Sequence, residues 1–574
     1  MPLTPESPQL QARKASRFKL VTATAAILAA FNLPVHAQQA QPTANDDLLQ
    51  TLRDKGILTQ EEYEALKKRY EAQQPTQPPA APPMEAAKPA AEPAKTAEEA
   101  KPAAKKEEAG GIKLKVGGFI ALEALYRSRN ETSDIGSIYN GSPNAQSTFP
   151  YPSNPNYKIP EFRGTARQSR LSLLASGDPD AKTALAAYFE LDFLGSGTTS
   201  NSTESNSYVP RLRQAYATYA RSDWGAYFLF GQAWSLLTMD KKDITPREEN
   251  IPMTIDAQYT VGFNWSRNPQ LRAVKEWENG YSLGLSLESP QAIVVADATP
   301  ATNCTTGLCY SNPGGSLLNS GTQYTTDLAP DIILKGTLDR RYGHFELYGL
   351  ARFFNDNVGG ANYTTMGGGL GGSAILPLIA NKKLDFQASF LWGTGIGRYG
   401  SAQLADVTIL PSGQLQPLPG LDWLLGFVAR PTDQWDLYLY GGQEQVLHPA
   451  SYGKFGYGTP TVDTKDCFAG GTYTNCKADT ASVWQVQLGG WWKFYQGKAG
   501  MMETGLSYSY LHKLAFTGNN GAPSTNDNIV MLSFRSSARI SSIGLNGLSL
   551  CPVGIACSVR RFGRPRRPIL HFRA

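Results

Sequence analysis

The chain has 574 residues, of which 18% are charged and 10% aromatic, with 55 glycines and 38 prolines. This charge-poor, glycine-rich and aromatic-rich composition argues against a cytosolic enzyme and favours a large β-barrel. The formal net charge of +5 gives no indication of a nucleic-acid partner, and no apolar run approaches the roughly 18 residues that a membrane-spanning helix needs.

Residues 1–37 have the pattern of a secretory signal peptide. Basic residues precede an apolar stretch at 20–33, and small residues follow at the positions that a signal peptidase reads. We expect cleavage after Ala37 and export to the envelope of a double-membraned bacterium. A membrane anchor fits less well, because the stretch is short and contains Asn32 and Pro34.

Residues 46–73 predict a short α-helical segment on the periplasmic side. Its leucines and tyrosines form a narrow apolar stripe like that of a small coiled coil, and Thr59 with Glu62 can cap a second helix after a break at 55–57. Such a segment is too short to be stable alone, so we expect an oligomeric contact. A loosely helical segment fits equally well.

Residues 74–110 consist mainly of proline, alanine, lysine and glutamate. This composition leaves almost nothing to bury and predicts a disordered linker. A linker between periplasmic helices and a barrel would suit a spacer toward the cell wall, although composition alone does not establish that contact.

Strict alternation of apolar and polar residues begins soon afterwards. Over residues 187–193, alanine, leucine and phenylalanine alternate with Tyr188, Glu190 and Asp192. The same period of two appears at 170–173 and at 211–218, where it places Arg211, Arg213, Ala215 and Ala217 on one face. These runs approach the dozen or so residues that a tilted strand needs to cross a bilayer. They predict an all-β transmembrane barrel whose polar face lines a channel.

Sixteen strands are predicted within a barrel domain at 112–535. They lie at 113–127, 163–176, 182–194, 208–221, 224–235, 258–266, 280–288, 331–340, 343–354, 364–376, 382–394, 421–430, 434–446, 481–494, 499–514 and 526–535. Short and long connections alternate between them, as in outer-membrane barrels with periplasmic turns and external loops. Two connections depart from this rule: 267–279 is long for its class and 355–363 is short. Aromatic residues near strand ends, including Tyr216, Trp224, Trp265, Trp435, Tyr438, Trp491 and Trp492, predict interfacial girdles.

The inward face carries the residues that would select a solute. Strand parity predicts Arg170, Arg211 and Arg213 in the lumen, with Lys335, Arg352 and Arg535 on the far wall and Glu190 and Asp192 among the inward acids. Arginine suits a carboxylate or phosphate because its planar fork can donate two parallel hydrogen bonds. A transverse field between basic and acidic walls is an equal possibility, and so is mutual pairing that merely braces the wall.

The connection at 236–257 follows the fifth strand, where general porins fold a loop into the pore. It carries several charged residues, among them Lys241, Arg247 and Glu249. A constriction is one interpretation, and a solvated external loop is the blander one.

Two close cysteine pairs lie in polar loops, and in an oxidising compartment they predict disulfides between Cys304 and Cys309 and between Cys467 and Cys476. We predict no metal site and no cofactor, because the spacing is wrong for zinc and no phosphate-binding glycine loop appears. The five histidines have no serine or aspartate at motif spacing, so we predict a non-enzyme. The alternatives are a barrel enzyme of the lipase or protease type and an adhesive or structural barrel.

The tail at 536–574 does not fit the rest of the chain. It contains seven arginines but no lysine, aspartate or glutamate, and alternation stops. We interpret it as out-of-register coding or a late extension that replaces the last residues of the closing strand. The alternative is a genuine basic periplasmic tail, and disorder is possible in either case.

Several stretches resemble the DcaP-like and phosphate-selective (O/P-type) trimeric porins of Gram-negative outer membranes. They are 166–171 (ARQSRL), 188–193 (YFELDF), 211–216 (RLRQAY), 230–235 (FGQAWS) and 268–272 (NPQLR). The helical segment before the barrel also resembles the short coiled coil of the DcaP-like group. The resemblance implies a homotrimeric sixteen-stranded channel in outer-membrane lipid, passing small anionic solutes such as dicarboxylates or phosphate.

Overall fold

The computed structural model describes residues 112–131, 135, 149–195, 208–297, 327–358, 361–379, 383–538 and 543–545. The predicted signal peptide, helical segment and linker lie outside these residues. Twenty-two strands are present: β1 (Ile112–Arg127), β2 (Glu161–Thr165), β3 (Arg170–Asp180), β4 (Thr183–Gly195), β5 (Val209–Arg221), β6 (Ala226–Trp234), β7 (Arg267–Trp277), β8 (Tyr281–Glu288), β9 (Asp331–Arg340), β10 (Gly343–Val358), β11 (Ala361–Ile379), β12 (Leu384–Thr394), β13 (Val407–Ile409), β14 (Leu415–Pro417), β15 (Pro419–Thr432), β16 (Trp435–Val446), β17 (Ala450–Tyr452), β18 (Phe455–Tyr457), β19 (Thr480–Gly497), β20 (Gly500–Ala515), β21 (Ser524–Ala538) and β22 (Ile543–Leu545).

The helices of the described residues are single 3-10 turns. They lie at Pro155–Lys158, Ala257–Tyr259, Gly397–Tyr399, Lys465–Cys467 and Tyr473–Asn475. None of the helices in this part of the chain has the length and apolarity to span a membrane.

Sixteen of the strands form one closed antiparallel barrel, as predicted. They are β1, β3 to β12, β15, β16 and β19 to β21. Closure comes from β1, which pairs with β3 on one edge, where Gly118 lies opposite Leu171, and with β21 on the other, where Leu125 lies opposite Met531. The wall therefore has no free edge, which is what a lipid environment demands of a sheet.

The connections fall into two classes at opposite ends of the barrel. Turns of two to four residues join the strands at 181–182, 222–225, 278–280, 341–342, 380–383, 433–434 and 498–499. All but one of the connections at the other end are longer, and the exception joins β10 to β11 with Val358 opposite Ala361. The start of β1 and the end of β21 both lie at the short-turn end.

Alternation sorts side chains between the outer face and the interior of the barrel along each strand. On β1, Ile120 and Leu122 are 74% and 60% exposed, whereas Ala121 and Glu123, which alternate with them, are buried. Not every aromatic follows the predicted girdle. Trp224, Trp435 and Trp492 face outward near the short turns, but four others pack inside the barrel: Tyr216, Trp265, Tyr438 and Trp491.

The predicted strand at 258–266 is wrong, because the sixth wall strand is β7 at Arg267–Trp277. The apolar alternation of 258–266 serves a different purpose: this segment ends a long loop, 235–266, that folds into the barrel. Val261 and Phe263 are buried there, and the amide of Gly262 donates to Oε1 of Glu444 on β16 at 2.8 Å. β7 escaped prediction because it contains Pro269 and because its alternation is broken, with the apolar Val274 buried on the inward face. A turn of only three residues follows β7. The connection predicted at 267–279, which was too long for its class, is therefore a strand followed by a short turn.

Two further boundaries differ from the prediction. The second predicted strand is split into β2 and β3 by a turn in which the amide of Ser169 donates to the carbonyl of Ala166. The closing strand does not stop at residue 535, since β21 runs to Ala538 and β22 pairs with the start of β1. The first part of the unusual tail therefore continues the closing edge.

One side of the barrel interior is tightly packed. The loops 235–266 and 395–418 lie against the wall there, and an apolar cluster joins loop residues Leu237 and Ile244 to wall residues such as Leu229 and Ile333. Buried charges reinforce this packing. Arg352 on β10 contacts Asp331 at 3.2 Å and Asp406 of the second loop at 2.7 Å, with all three side chains fully buried.

Replacing Arg352 by methionine should lower the free energy of unfolding by about 3–5 kcal/mol, because Asp331 and Asp406 would be left as buried, uncompensated charges. Urea unfolding in lipid vesicles, followed by tryptophan fluorescence, measures this change. The matched control is Arg221→Met, which removes an exposed arginine paired with Asp223. Equal losses in the two variants would contradict the bracing role of Arg352.

Candidate functional site

The other side of the interior contains an open cavity of about 430 Å³. Wall strands β1, β3 to β6, β16 and β19 to β21 surround it, and the segment 247–258 of the long inner loop crosses it. Its charged lining residues are Arg170, Glu190, Asp192, Arg213, Lys241, Arg247, Glu249, Asp256, Asp436, Glu503 and Arg535, and its aromatic ones are Phe119, Tyr188, Trp234 and Trp491.

A ladder of ion pairs forms the basic wall of this cavity. Arg211 donates two hydrogen bonds to Asp192, from Nε to Oδ1 at 3.0 Å and from Nη2 to Oδ2 at 2.7 Å. Arg213 donates to Glu190 at 2.6 Å and to Asp192 at 2.9 Å. The third cation, Arg170, stands 3.9 Å from Glu190. Two carboxylates are therefore shared among three guanidinium groups.

A β-bulge at Arg213 makes the ladder possible. Glu190 lies opposite Gln214, whereas Leu191 lies opposite Leu212, so Arg213 is an extra residue in β5. Both Arg213 and Gln214 then face inward. The predicted sharing of one face by Arg211, Arg213, Ala215 and Ala217 is wrong beyond this point, since the inward residue after the bulge is the buried Tyr216.

The eight residues predicted to line the ion path separate into two groups. Arg170, Arg213, Arg535, Glu190 and Asp192 line the cavity, and Arg211 is paired to them from its edge. Lys335 and Arg352 also face inward, but they lie in the packed side and do not reach the cavity. Lys335 is fully buried and contacts Asp240 and Glu346 at 2.8 Å each. These two cations tie loops to the wall.

Aromatic rings lie beside three of the guanidinium groups at the cavity. Arg170 lies 5.2 Å above the ring of Phe119, and Arg247 lies 5.7 Å above that of Tyr188. Arg535 lies 4.6 Å above Trp491 and also pairs with the buried Glu123 at 2.6 Å. Cation–π attraction holds a guanidinium in place without cancelling its charge. Arg247 has no ion pair among the described residues.

Hydrogen bonds hold the inner loop against this wall. The loop residues that accept them, Ile255 and Gln258, were not predicted to take part in the site. Arg535 donates to the carbonyl of Ile255 at 2.6 Å, and the side-chain oxygen of Gln258 accepts from Arg211 at 3.2 Å and from Arg267 at 3.3 Å. Asp256 lies between these fastenings. The prediction of a strand at 258–266, directly after Asp256, explains why Asp256 was not predicted to lie at the cavity.

Asp256 is 9% exposed, and among the described residues only one of its carboxylate oxygens has a partner. Oδ1 accepts from the amide of Gln258 at 3.3 Å. Burial, helped by the nearby Glu123, raises the pKa of Asp256 to about 7, against the opposing effect of Arg211 and Arg535. The charge of the cavity therefore changes close to neutral pH. Burial also raises the pKa of Glu249 in the same loop.

Cys467 and Cys476 are joined by a disulfide in the connection between β16 and β19. The other predicted pair, Cys304 and Cys309, lies outside the described residues. Within the described ranges, no group of three or more histidine, cysteine, aspartate or glutamate side chains is placed to hold a metal ion.

A closed sixteen-stranded antiparallel barrel with a long loop folded inside it, after the fifth wall strand, has the porin fold. The structure is similar to the crystal structure of the outer membrane channel DcaP of Acinetobacter baumannii, with a TM-score of 0.51 and 18% identity over 74% of this chain and 97% of that one. This likeness confirms, for the fold, the predicted resemblance to DcaP-like channels. It does not extend to the phosphate-selective group.

Two further solved structures are similar at lower TM-scores. They are OmpF of Salmonella typhi in complex with daunomycin (TM-score 0.41, 9% identity, 74% of this chain and 97% of that chain) and an anion-selective porin from Comamonas acidovorans (TM-score 0.38, 10% identity, 74% and 99%). No protein-family model matches the sequence, and no curated protein matches it.

Lowering the pH from 8.5 to 6 should raise the ratio of Cl⁻ to K⁺ permeability measured for the protein in planar bilayers, because protonation of Asp256 removes a negative charge from the cavity. Reversal potentials under a KCl gradient measure the effect. Asp256→Asn should be more anion-selective at pH 8.5 and nearly insensitive to pH over this range. The control Glu249→Gln should keep the pH response of the wild type. An unchanged pH response in Asp256→Asn would contradict the assignment of that response to Asp256.

Proposed function

We propose that the protein is an outer-membrane porin that lets small solutes, preferentially anions, diffuse passively through the cavity. The observation that carries this proposal is the unequal exposure of the paired charges. Arg170 and Arg211 have 29% and 27% of their side-chain surface exposed, whereas the carboxylate of Asp192 is 1% exposed. A solute entering the cavity meets guanidinium groups, with the carboxylates covered behind them.

The surroundings strengthen the effect of these charges. A narrow space between low-dielectric walls focuses the electrostatic field, so a few fixed cations lower the entry cost of an anion and raise that of a cation. The guanidinium fork can also replace part of the hydration of a carboxylate or phosphate. Arg170 and Arg247 are suited to this role, because neither is committed to a close ion pair.

The acidic side of the cavity gives the field a direction. Asp436 on β16 is compensated by Lys493 at 2.5 Å. Glu503 on β20, which is paired in register with Arg535 of the adjacent β21, is a further, half-buried acid of this side of the cavity, opposite the arginines of β3 to β5. We propose a transverse field with the basic wall dominant. This arrangement combines two of the alternatives that the sequence left open.

The proposed location is the outer membrane, with the short turns in the periplasm and the long connections outside. Both ends of the barrel chain lie at the short-turn end, so a cleaved signal peptide at 1–37, a periplasmic helical segment at 46–73 and a linker at 74–110 would all belong to that side. We also propose a homotrimer and a cell-wall contact of the N-terminal segment. The trimer is supported by the family resemblance, and the contact by the composition of the linker.

Replacing Arg170 and Arg247 together by alanine should reduce the Cl⁻/K⁺ permeability ratio by about two- to fivefold, because two uncommitted positive charges leave the cavity. Reversal potentials under a KCl gradient test this, with Arg221→Ala at a short turn as the control that should change nothing. A wild-type pore that prefers K⁺, or one that stays shut, would refute the proposal.

Replacing Arg211 by alanine should shift the reversal potential further toward cations than replacing Arg170 does. The loss of Arg211 removes a cation. It also exposes the carboxylate of Asp192, with which Arg211 forms an ion pair at 2.7 Å. Arg213→Ala should act in the same direction but destabilise the barrel, since Glu190 and Asp192 are buried beneath it. Equal reversal potentials for Arg211→Ala and the wild type would clear Arg211 of a role in selectivity.

A further inference from the structure

We infer that the cavity is a binding subsite for small zwitterions of the α-amino acid class, whose carboxylate lies against Arg170 and Arg247 and whose ammonium lies at Asp256. This inference rests on the proposed porin function and gives it a substrate class. It differs from a simple anion channel, because it assigns a task to an acidic group in the cavity.

The first observation is a pair of acceptors without donors. Oδ2 of Asp256 and Oε1 of Gln214 are buried, and no donor among the described residues reaches either atom. Both side chains line the cavity. A buried acceptor without a donor is costly, and an anionic solute has no donor to offer a carboxylate. An ammonium group carries three donors and a positive charge.

The second observation is a matching pair of donors. Nε of Arg170 has no acceptor among the described residues, and the nearest carboxylate oxygen, on Glu190, is 3.9 Å from its Nη1. Arg247 donates to the hydroxyl of Tyr216 at 3.3 Å and has no ion pair among the same residues. These two guanidinium groups can receive a solute carboxylate without first breaking a close ion pair.

The two pairs are held in fixed relation by the loop fastenings. Ile255 and Gln258 are bonded to Arg535, Arg211 and Arg267, so Asp256 cannot swing out of the cavity without breaking three contacts. Preorganised donors and acceptors bind a complementary solute with little loss of side-chain freedom. A dianion would instead bring a second carboxylate toward Asp256, where like charges repel.

A purely local role for Asp256 is the competing explanation. Its Oδ1 accepts from the amide of Gln258 at 3.3 Å and so supports the 3-10 turn at Ala257–Tyr259. That contact uses one oxygen only, and an asparagine could make it equally well. It does not account for the second, unpartnered oxygen.

The test compares two solutes that differ only in an ammonium and a hydroxyl group: L-alanine and L-lactate. Uptake of each labelled solute is measured at pH 8.5 in proteoliposomes containing the full-length protein, where Asp256 is ionised. Asp256→Asn should slow alanine uptake at least about threefold relative to the wild type, the loss expected from one charge-assisted hydrogen bond. It should not slow lactate uptake, because lactate has no ammonium group.

The matched control is Asp436→Asn, which removes the same charge from a cavity carboxylate that Lys493 already compensates. It should leave alanine uptake unchanged. Unchanged alanine uptake in Asp256→Asn would overturn the inference, and so would equal slowing of alanine in the two variants. KCl conductance is recorded on the same preparations: a conducting pore whose alanine uptake does not respond to Asp256→Asn refutes only the zwitterion subsite, whereas a non-conducting protein refutes the porin proposal itself.

Discussion

The hydrogen-bonded ladder between β1 and β21 is the contact on which the rest of the structure depends. It joins the first and last wall strands, from Ile120 opposite Ser536 to Arg127 opposite Ile529, and leaves no unpaired edge facing lipid. Closure also creates the enclosed interior. Inside it, guanidinium and carboxylate groups are shielded from bulk water, so close ion pairs can fix loop positions that a solvated surface would leave mobile.

Two different uses of charge follow from this enclosure. On the packed side, Lys335 and Arg352 each satisfy two carboxylates and are fully buried, so their charges hold the inner loops and have no access to a passing solute. On the open side, three guanidinium groups share the two carboxylates of Glu190 and Asp192, and aromatic rings lie beside Arg170, Arg247 and Arg535. The same residue types therefore brace one wall and line a cavity at the other. The difference is set by which side the loops cover.

Much of the wall could be predicted from the sequence, because alternation is a local property. The β4 pattern correctly placed Glu190 and Asp192 inside, and the lengths of the connections gave the strand count. The failures have a common cause, which is that the interior is filled by chain rather than by water. The apolar alternation of 258–266 serves packing against the inner wall, and the predicted strand there displaced the real one, whose inward residues include Asn268 and Gln270.

The site was harder to predict than the wall, for two physical reasons. The bulge at Arg213 reverses parity within β5, and a single-residue shift of this kind leaves no mark in the period of the sequence. The position of Asp256 depends on its neighbours Ile255 and Gln258, whose contacts with Arg211, Arg267 and Arg535 come from three separate strands. Parity could place Lys335 and Arg352 in the lumen but could not show that loops bury them.

The central claim is that the interior is divided into an open side and a packed side, and chemical modification of cysteines during single-channel recording tests it most directly. Ala257→Cys lies on the inner loop at the cavity, and Ser286→Cys lies on the inward face of β8 in the packed side, where Ser286 is fully buried. With the response of the parent protein subtracted, a charged methanethiosulfonate reagent should change the current through Ala257→Cys and leave Ser286→Cys unaffected. Rapid modification of Ser286→Cys, or no effect at Ala257→Cys, would contradict the account.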